Sequence, residues 1–262
     1  MPILSIKNLT MAFGGLAALT NINITVEKDE LVGLIGPNGA GKTTIFNLLT
    51  GIYTPTQGVI EYQQNGSTRT INKLKPHVIS SLGIARTFQN IRLFKDLTVL
   101  DNIRISIHKN VNYGVMPAFF KLPRVYSEER EILGKSNEIL EIFGLESKKY
   151  ELAKNLPYGE QRRLEIARAL ATNPSLLLLD EPAAGMNPNE TSMLTDLIKW
   201  IWKEYGLTIL LIEHDMSVVM KICERIYVLD YGMLIAEGTP EEIRTNKRVI
   251  QAYLGGELQN DA

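Results

Sequence analysis

Gly36-Pro37-Asn38-Gly39-Ala40-Gly41-Lys42-Thr43 fits the spacing G-x-x-x-x-G-K-[ST]. A segment of this kind binds phosphate. Its glycines let main-chain N–H groups turn inward as an anion nest. A helix that opens at its end adds a partial positive charge. Lys42 supplies a point charge for the β- and γ-phosphates of a nucleotide, and the Thr43 hydroxyl suits Mg²⁺. Thr44 follows in the same first turn. A second group is Leu176-Leu177-Leu178-Leu179-Asp180-Glu181, an apolar run that ends in two acids. Asp180 there suits Mg²⁺ held through water, and Glu181 suits a general base that polarises an attacking water. The chemistry is transfer of a phosphoryl group to water.

Residues so far apart in the chain need a scaffold that converges them. Leu31–Ile35 is a nearly continuous apolar run, which predicts a buried strand leading into the glycine loop. Thr43–Leu49 predicts a helix after it, with Gly51 as its C-cap. Ser175–Leu179 and Leu207–Ile212 predict further buried strands. Ile22, Ile24 and Val26 alternate with polar residues, and Val59–Tyr62 follows suit, so the first ~60 residues predict short half-buried strands. From about Thr98 to Leu156 the spacing turns helical. Ser127 before Glu128 and Glu129 predicts a helix N-cap, and Gly144 a helix end. Between helical stretches Asn110–Val125 predicts a loop carrying Tyr113, Phe119 and Phe120, whose aromatics serve either lobe packing or a partner surface. Gln161–Thr172 and Thr191–Glu204 predict helices, Ile226–Leu229 with Met233–Ala236 a hairpin, and Gly255 onward a frayed tail.

Composition narrows the class. The chain has 262 residues, 45% of them apolar and 22% charged, which predicts a folded globular protein. Its net charge of −1 gives no chain-wide basic field for nucleic acid. One cysteine, Cys223, excludes an intramolecular disulfide, and with only three histidines a structural zinc site is not expected. Neither a secretory leader nor an apolar run of the ~20 residues a membrane span needs is evident. The expected location is therefore the cytosol, or a membrane surface reached through a partner.

Further motifs complete a pattern. Leu156-Pro157-Tyr158-Gly159-Glu160, followed by Gln161-Arg162-Arg163-Leu164-Glu165-Ile166-Ala167-Arg168, resembles the signature motif of the ATP-binding cassette (ABC) ATPases and the helix after it. Arg86-Thr87-Phe88-Gln89 resembles the family's Q-loop, Glu213-His214-Asp215 its switch histidine, and Ala184-Gly185-Met186-Asn187 its D-loop. Phe13, in a Phe-Gly-Gly turn, stands where the family stacks an aromatic on adenine; plain packing is the other reading. The resemblance covers almost the whole chain.

It implies an α/β fold: a P-loop NTPase core of mostly parallel sheet with flanking helices, an N-terminal antiparallel β subdomain and an inserted helical subdomain. The core would take 1–97 and 157–262, and the insert about 98–156. It implies ATP and Mg²⁺ as ligands. Phe13, Gly36, Pro37, Asn38, Gly39, Ala40, Gly41, Lys42, Thr43, Thr44, Gln89, Tyr158, Gly159 and Glu160 would contact nucleotide. Thr43, Gln89 and Asp180 would serve the metal, with Glu181 and His214 catalytic. Three positions depart from the family pattern. Pro157 replaces a serine whose hydroxyl reaches the γ-phosphate, Tyr158 replaces a glycine, and Asn187 replaces the usual aspartate. Gly159 and the helix start at Glu160 and Gln161 would then offer the N–H groups.

Arg86 to Phe94, Leu156 to Leu170, Asp180 to Thr191, Gly238 to Arg244 and Ala252 to Gly255 look like the ATP-binding subunit of bacterial branched-chain amino acid importers. The resemblance implies a second ATPase subunit, identical or related, with two ATP molecules sandwiched head to tail. It also implies integral-membrane permease subunits, an indirect extracytoplasmic solute-binding protein and no nucleic acid, at the cytoplasmic face of the membrane. The alternatives are an ABC ATPase of another transport system, a non-transport ABC protein of DNA repair or the ribosome, and a small-molecule P-loop kinase. A single P-loop without sustained heptads opposes the non-transport reading, and the Leu156–Arg168 motif opposes the kinase.

Overall fold

The computed structural model describes residues 2–64, 66–108 and 123–257. They divide into two compact units, Met1–Arg86 with Ser175–Ala262, and Thr87–Pro174. The fold is α/β.

Among the described residues of the first unit the strands form two sheets. One has the order β2-β1-β4-β5, from β1 (Pro2–Phe13), β2 (Leu16–Glu27), β4 (Gln57–Gln64) and β5 (Ser67–Thr70), all antiparallel. The other has the order β10-β9-β3-β8-β7-β6, with β3 (Leu31–Ile35), β6 (Ile84–Arg86), β7 (Leu176–Asp180), β8 (Thr208–Ile212), β9 (Arg225–Asp230) and β10 (Met233–Gly238). Only β10 runs antiparallel to its neighbour; β9, β3, β8, β7 and β6 are parallel. β3, β7 and β8 are buried at every residue, which is why, apart from Asp180 and Thr208 at their ends, they read as apolar runs. β1 and β2 are twelve residues each, longer than the short strands expected, because their mutual ladder continues through irregularities at Asn8 and Asn21, both at positive φ.

Helix α1 (Lys42–Leu49) lies in the core between the sheets. Ile45, Phe46, Leu48 and Leu49 share one apolar cluster with Leu4, Ile24 and Ile60 of the antiparallel sheet and with Leu34, Leu178 and Leu210 of the parallel one. The remaining helices of this unit are α2 (Pro76–Ser81), α6 (Pro188–Tyr205), α7 (Met216–Ile222), α8 (Pro240–Thr245) and α9 (Lys247–Glu257). α6 starts at Pro188, three residues before the expected Thr191. Asn187 caps it, accepting from the N–H groups of Asn189 and Glu190 at 3.0 Å each, while Glu190 caps the Asn187 N–H in return. Cys223 is buried, as a small apolar residue would be.

The second unit is helical: α3 (Val99–His108), α4 (Pro123–Ile142) and α5 (Tyr158–Ala171), with single turns at Glu146–Lys148 and Ala153–Asn155. It extends beyond 98–156 at both ends, because α5 packs against α3 and α4 and its Arg162 and Glu165 hold the main chain of Phe88, Gln89 and Arg92. The N-cap expected at Ser127 is corrected: α4 already begins at Pro123, a residue suited to a first helical turn. Most of the expected aromatic loop Asn110–Val125, and the tail beyond 257, lies outside the described residues.

Candidate functional site

The parallel register brings several residues to one edge of the sheet. Leu34 pairs with Ile212, and Ile212 with Asp180. The glycine loop after β3, the acids after β7 and Glu213-His214 after β8 thus leave from the same carboxyl end, where open α/β sheets bind ligands.

The loop Gly36–Gly41 is held tightly. Gly36 has φ +150°, and a Cβ there would stand 2.1 Å from the Leu229 carbonyl oxygen of β9. Gly41 has φ +106°, and a Cβ there would meet the Leu19 side chain at 2.6 Å. Only glycine suits these positions. Asn38, Gly39 and Thr43 are exposed, and Ala40 and Lys42 are buried. No side chain caps α1, so the N–H groups of its first turn, at Lys42, Thr43 and Thr44, face outward without an intrahelical acceptor. The Lys42 ammonium donates to the carbonyls of Gly36 at 2.6 Å and Pro37 at 2.9 Å. Burial pulls its pKa down, while Glu181 and Asp180 work against that. A buried ammonium beside an uncapped helix start fits a polyphosphate, and the carboxylates and hydroxyl nearby fit a hard divalent cation.

Asp180 and Arg86 form an ion pair at 2.7 Å, their side chains only 3% and 6% exposed. Glu181 follows with φ +46°, its N–H donating to the Ile212 carbonyl at 2.9 Å. A left-handed conformation in a non-glycine residue is a strained one, of the kind found at functional sites. His214 Nδ1 lies 3.8 Å from carboxylate oxygens of both Glu181 and Glu213, and the ring is exposed. Glu213 is fully buried and accepts N–H bonds from Ala183 at 2.8 Å and His214 at 3.2 Å. Asp215 caps α7 through Ser217, whose hydroxyl bond holds its carboxyl below the ordinary range. Phe13 is exposed and meets Tyr53 edge-on, ring centres 5.2 Å apart.

The remaining expected residues belong to the second unit. Gln89 and Tyr158 are exposed, and Gly159 is buried. α5 begins at Tyr158, three residues before the expected Gln161, because the Pro157 carbonyl accepts the N–H groups of Glu160 at 3.0 Å and Gln161 at 2.9 Å. This corrects the expectation that those two would be offered to phosphate; the open first-turn N–H groups are those of Tyr158 and Gly159. The Glu160 carboxylate pairs with Lys148 at 2.7 Å. Arg162 links the expected residues: it donates to the carbonyls of Phe88 and Gln89 at 2.7 Å each and to the Tyr158 hydroxyl at 3.2 Å. Sequence reasoning gave no role to Arg86, Arg162 or Glu213. The one available signal was a charge set directly against an apolar run, as Glu213 follows Ile212.

A phosphate-binding loop between strand and helix, with paired acids at the same end of a parallel strand one removed from it, defines a P-loop ATPase. The family model described as "ABC transporter" matches residues 19–184. The chain belongs to that family, as an ATP-binding and ATP-hydrolysing member. A model described as "Branched-chain amino acid ATP-binding cassette transporter" matches residues 233–258. The chain is 47% identical over 254 residues to the high-affinity branched-chain amino acid transport ATP-binding protein LivG of Escherichia coli, covering 97% of this chain and 98% of that one. BraF of Pseudomonas aeruginosa, of the same description, is similar to the same degree. Among solved structures, the ADP conformation of MJ1267, an ATP-binding cassette of an ABC transporter, superposes with a TM-score of 0.83 at 31% identity, covering 97% of this chain and 99% of that one.

Proposed function

We propose that this chain is the energy-coupling ATPase subunit of an importer for branched-chain amino acids. The observation that carries the reading is the near full-length identity to relatives described as transport proteins for those solutes. Among the described residues no helix is long and apolar enough to cross a membrane. The subunit therefore reaches the bilayer through permease subunits, on the cytoplasmic face, and pairs with a second ATPase subunit. A solute-binding protein on the far side delivers the cargo.

In this reading the N–H groups of Gly39 and of Gly41 to Thr44 and the Lys42 ammonium hold the β- and γ-phosphates, and Phe13 packs on the adenine. Thr43 and Asp180 would hold Mg²⁺, which when bound neutralises charge on the phosphates. Glu181 takes the proton of the attacking water. As the water oxygen bonds to the γ-phosphorus, the bond to the β–γ bridging oxygen breaks, leaving ADP and inorganic phosphate. His214, 3.8 Å from Glu181, orients that carboxylate and the γ-phosphate. The first turn of α5, at Tyr158 and Gly159, faces the nucleotide held by the other subunit.

Deleting the chain's coding sequence should abolish high-affinity uptake of radiolabelled leucine, isoleucine and valine, and leave uptake of a basic amino acid intact. Unchanged uptake of all three would overturn the assignment of cargo.

A further inference from the structure

Arg86 is the last residue of β6 and of the first of the two segments that make up the first unit. Its guanidinium serves two elements at once. Nη2 donates to Asp180 Oδ2 at 2.7 Å. Nη1 donates to Asn47 Oδ1 at 2.8 Å and to Thr50 Oγ1 at 3.3 Å, and the group lies 5.4 Å from the centre of the Phe46 ring. Phe46 and Asn47 belong to α1 and Thr50 ends it; Lys42 and Thr43 form its first turn.

Burying such a pair costs desolvation of both charges, which good geometry and added hydrogen bonds must offset. The arrangement has both. It also does something a simple ion pair does not. It engages one oxygen of Asp180 and fixes the strand end that carries this carboxylate to the helix that carries Thr43.

We infer that Arg86 is a positioning residue for the divalent cation, setting the orientation of Asp180 and its separation from Thr43. The inference rests on the reading of Thr43 and Asp180 as metal-holding groups. Its charge argues in the opposite direction, since a guanidinium near a cation repels it. The two effects give opposite signs in one measurement.

The test is binding of a fluorescent ATP analogue to the purified chain, first in EDTA and then across a Mg²⁺ titration. Arg86→Met should bind the analogue in EDTA within about threefold of the parent, because the phosphate loop is intact. The Mg²⁺ concentration for the half-maximal response should rise about tenfold or more. Arg86→Lys keeps the charge and loses the fork, and should show a similar rise. Asn47→Ala leaves the ion pair and removes the helix anchor; it should raise the Mg²⁺ requirement a few-fold, and it decides the matter if Arg86→Met does not fold. An unchanged or lower requirement in the folded variants overturns the inference, a lower one because repulsion then dominates. Thr43→Ala separates the two levels. If it too leaves the Mg²⁺ response unaltered, the underlying metal reading has failed; if it alone changes the response, only the role of Arg86 has.

Discussion

The guanidinium of Arg162 donates to the main-chain oxygen of Gln89 at 2.7 Å, so the helix that begins at Tyr158 holds the segment that contains Gln89. The side chain is fully buried, and it also pairs with Glu165 at 2.8 Å. Tyr158 therefore has a structural partner where the family has glycine. Arg162→Met should cost about 3–5 kcal/mol, because Glu165 would stay buried without its cation. That corresponds to a fall in Tm of order 10 °C. Tyr158→Phe removes one hydroxyl and should cost only about 0.5–1.5 kcal/mol. Scanning calorimetry of the three proteins checks this; equal melting temperatures would contradict it.

Glu213 ties the end of β8 to Ala183, two residues after Glu181. Burial is the largest influence on its carboxyl and pushes the pKa above the ordinary 4.5, against the N–H bonds from Ala183, Asp215 and His214 and the nearby His214 charge. Between 4.5 and the raised value the native protein keeps a proton that the unfolded chain has lost. Stability from this group is thus complete below 4.5 and declines as pH rises through the folded value. Glu213→Gln cannot titrate. Its Tm relative to the parent should be least favourable near pH 4.5 and improve steadily toward pH 7. A difference independent of pH over that range would show that Glu213 titrates normally.

The sheet edge was legible because burial and chemistry coincide in sequence there. β3 is apolar throughout, β7 is apolar up to its terminal Asp180 and β8 after its first residue Thr208, and a glycine loop or an acid follows each apolar run. β6 and α2 were not, since three and six residues carry too little period and depend on neighbours for their form. The starts of α5 and α6 were misread by three residues. In each case a residue before the apolar spacing caps the helix, Pro157 through its carbonyl and Asn187 through its side chain. Arg86, Arg162 and Glu213 look like surface charges in the sequence, because the partners that tie them to other elements (Asp180, Phe88 with Gln89, and Ala183) lie 30 to 94 residues away.

Lys42 and Glu181 should fail differently. Lys42 acts on the bound phosphates themselves, so Lys42→Ala should weaken ATP·Mg²⁺ binding as well as turnover. Glu181→Gln keeps the shape and removes the basicity. Its ATP affinity should stay within about threefold of the parent while turnover falls ~10²–10⁴-fold. Fluorescence titration with and without Mg²⁺, beside a phosphate-release assay, separates the two. Parental ATP·Mg²⁺ binding by Lys42→Ala would sink the phosphate-loop role, and near-parental turnover by Glu181→Gln would sink the base.

The start of α5 carries the last prediction. A serine hydroxyl at position 157 could donate one charge-assisted bond to a phosphate, typically ~1.5–3 kcal/mol. Pro157 has neither hydroxyl nor N–H, and its carbonyl is already committed to Glu160 and Gln161. An anion at this helix start must rely on the N–H groups of Tyr158 and Gly159 and on the helix dipole. A site built to work without the hydroxyl gains little from one, so Pro157→Ser should change ATPase activity of the assembled complex by less than ~10-fold, under ~1.4 kcal/mol of barrier. Gly159→Asp places bulk and negative charge where an anion docks, at a buried residue, and should nearly abolish activity. The assembled complex is required because this helix start acts on nucleotide held by the other subunit. Full turnover by Gly159→Asp would mean either that α5 has no catalytic part or that its composite site is degenerate and the second site carries the work. Glu181→Gln in this chain alone distinguishes them. If turnover is lost, the working site is the one built on this chain's own base and the composite site that α5 completes is degenerate; if turnover survives, the site that α5 completes is itself active and the α5 helix start has no catalytic part.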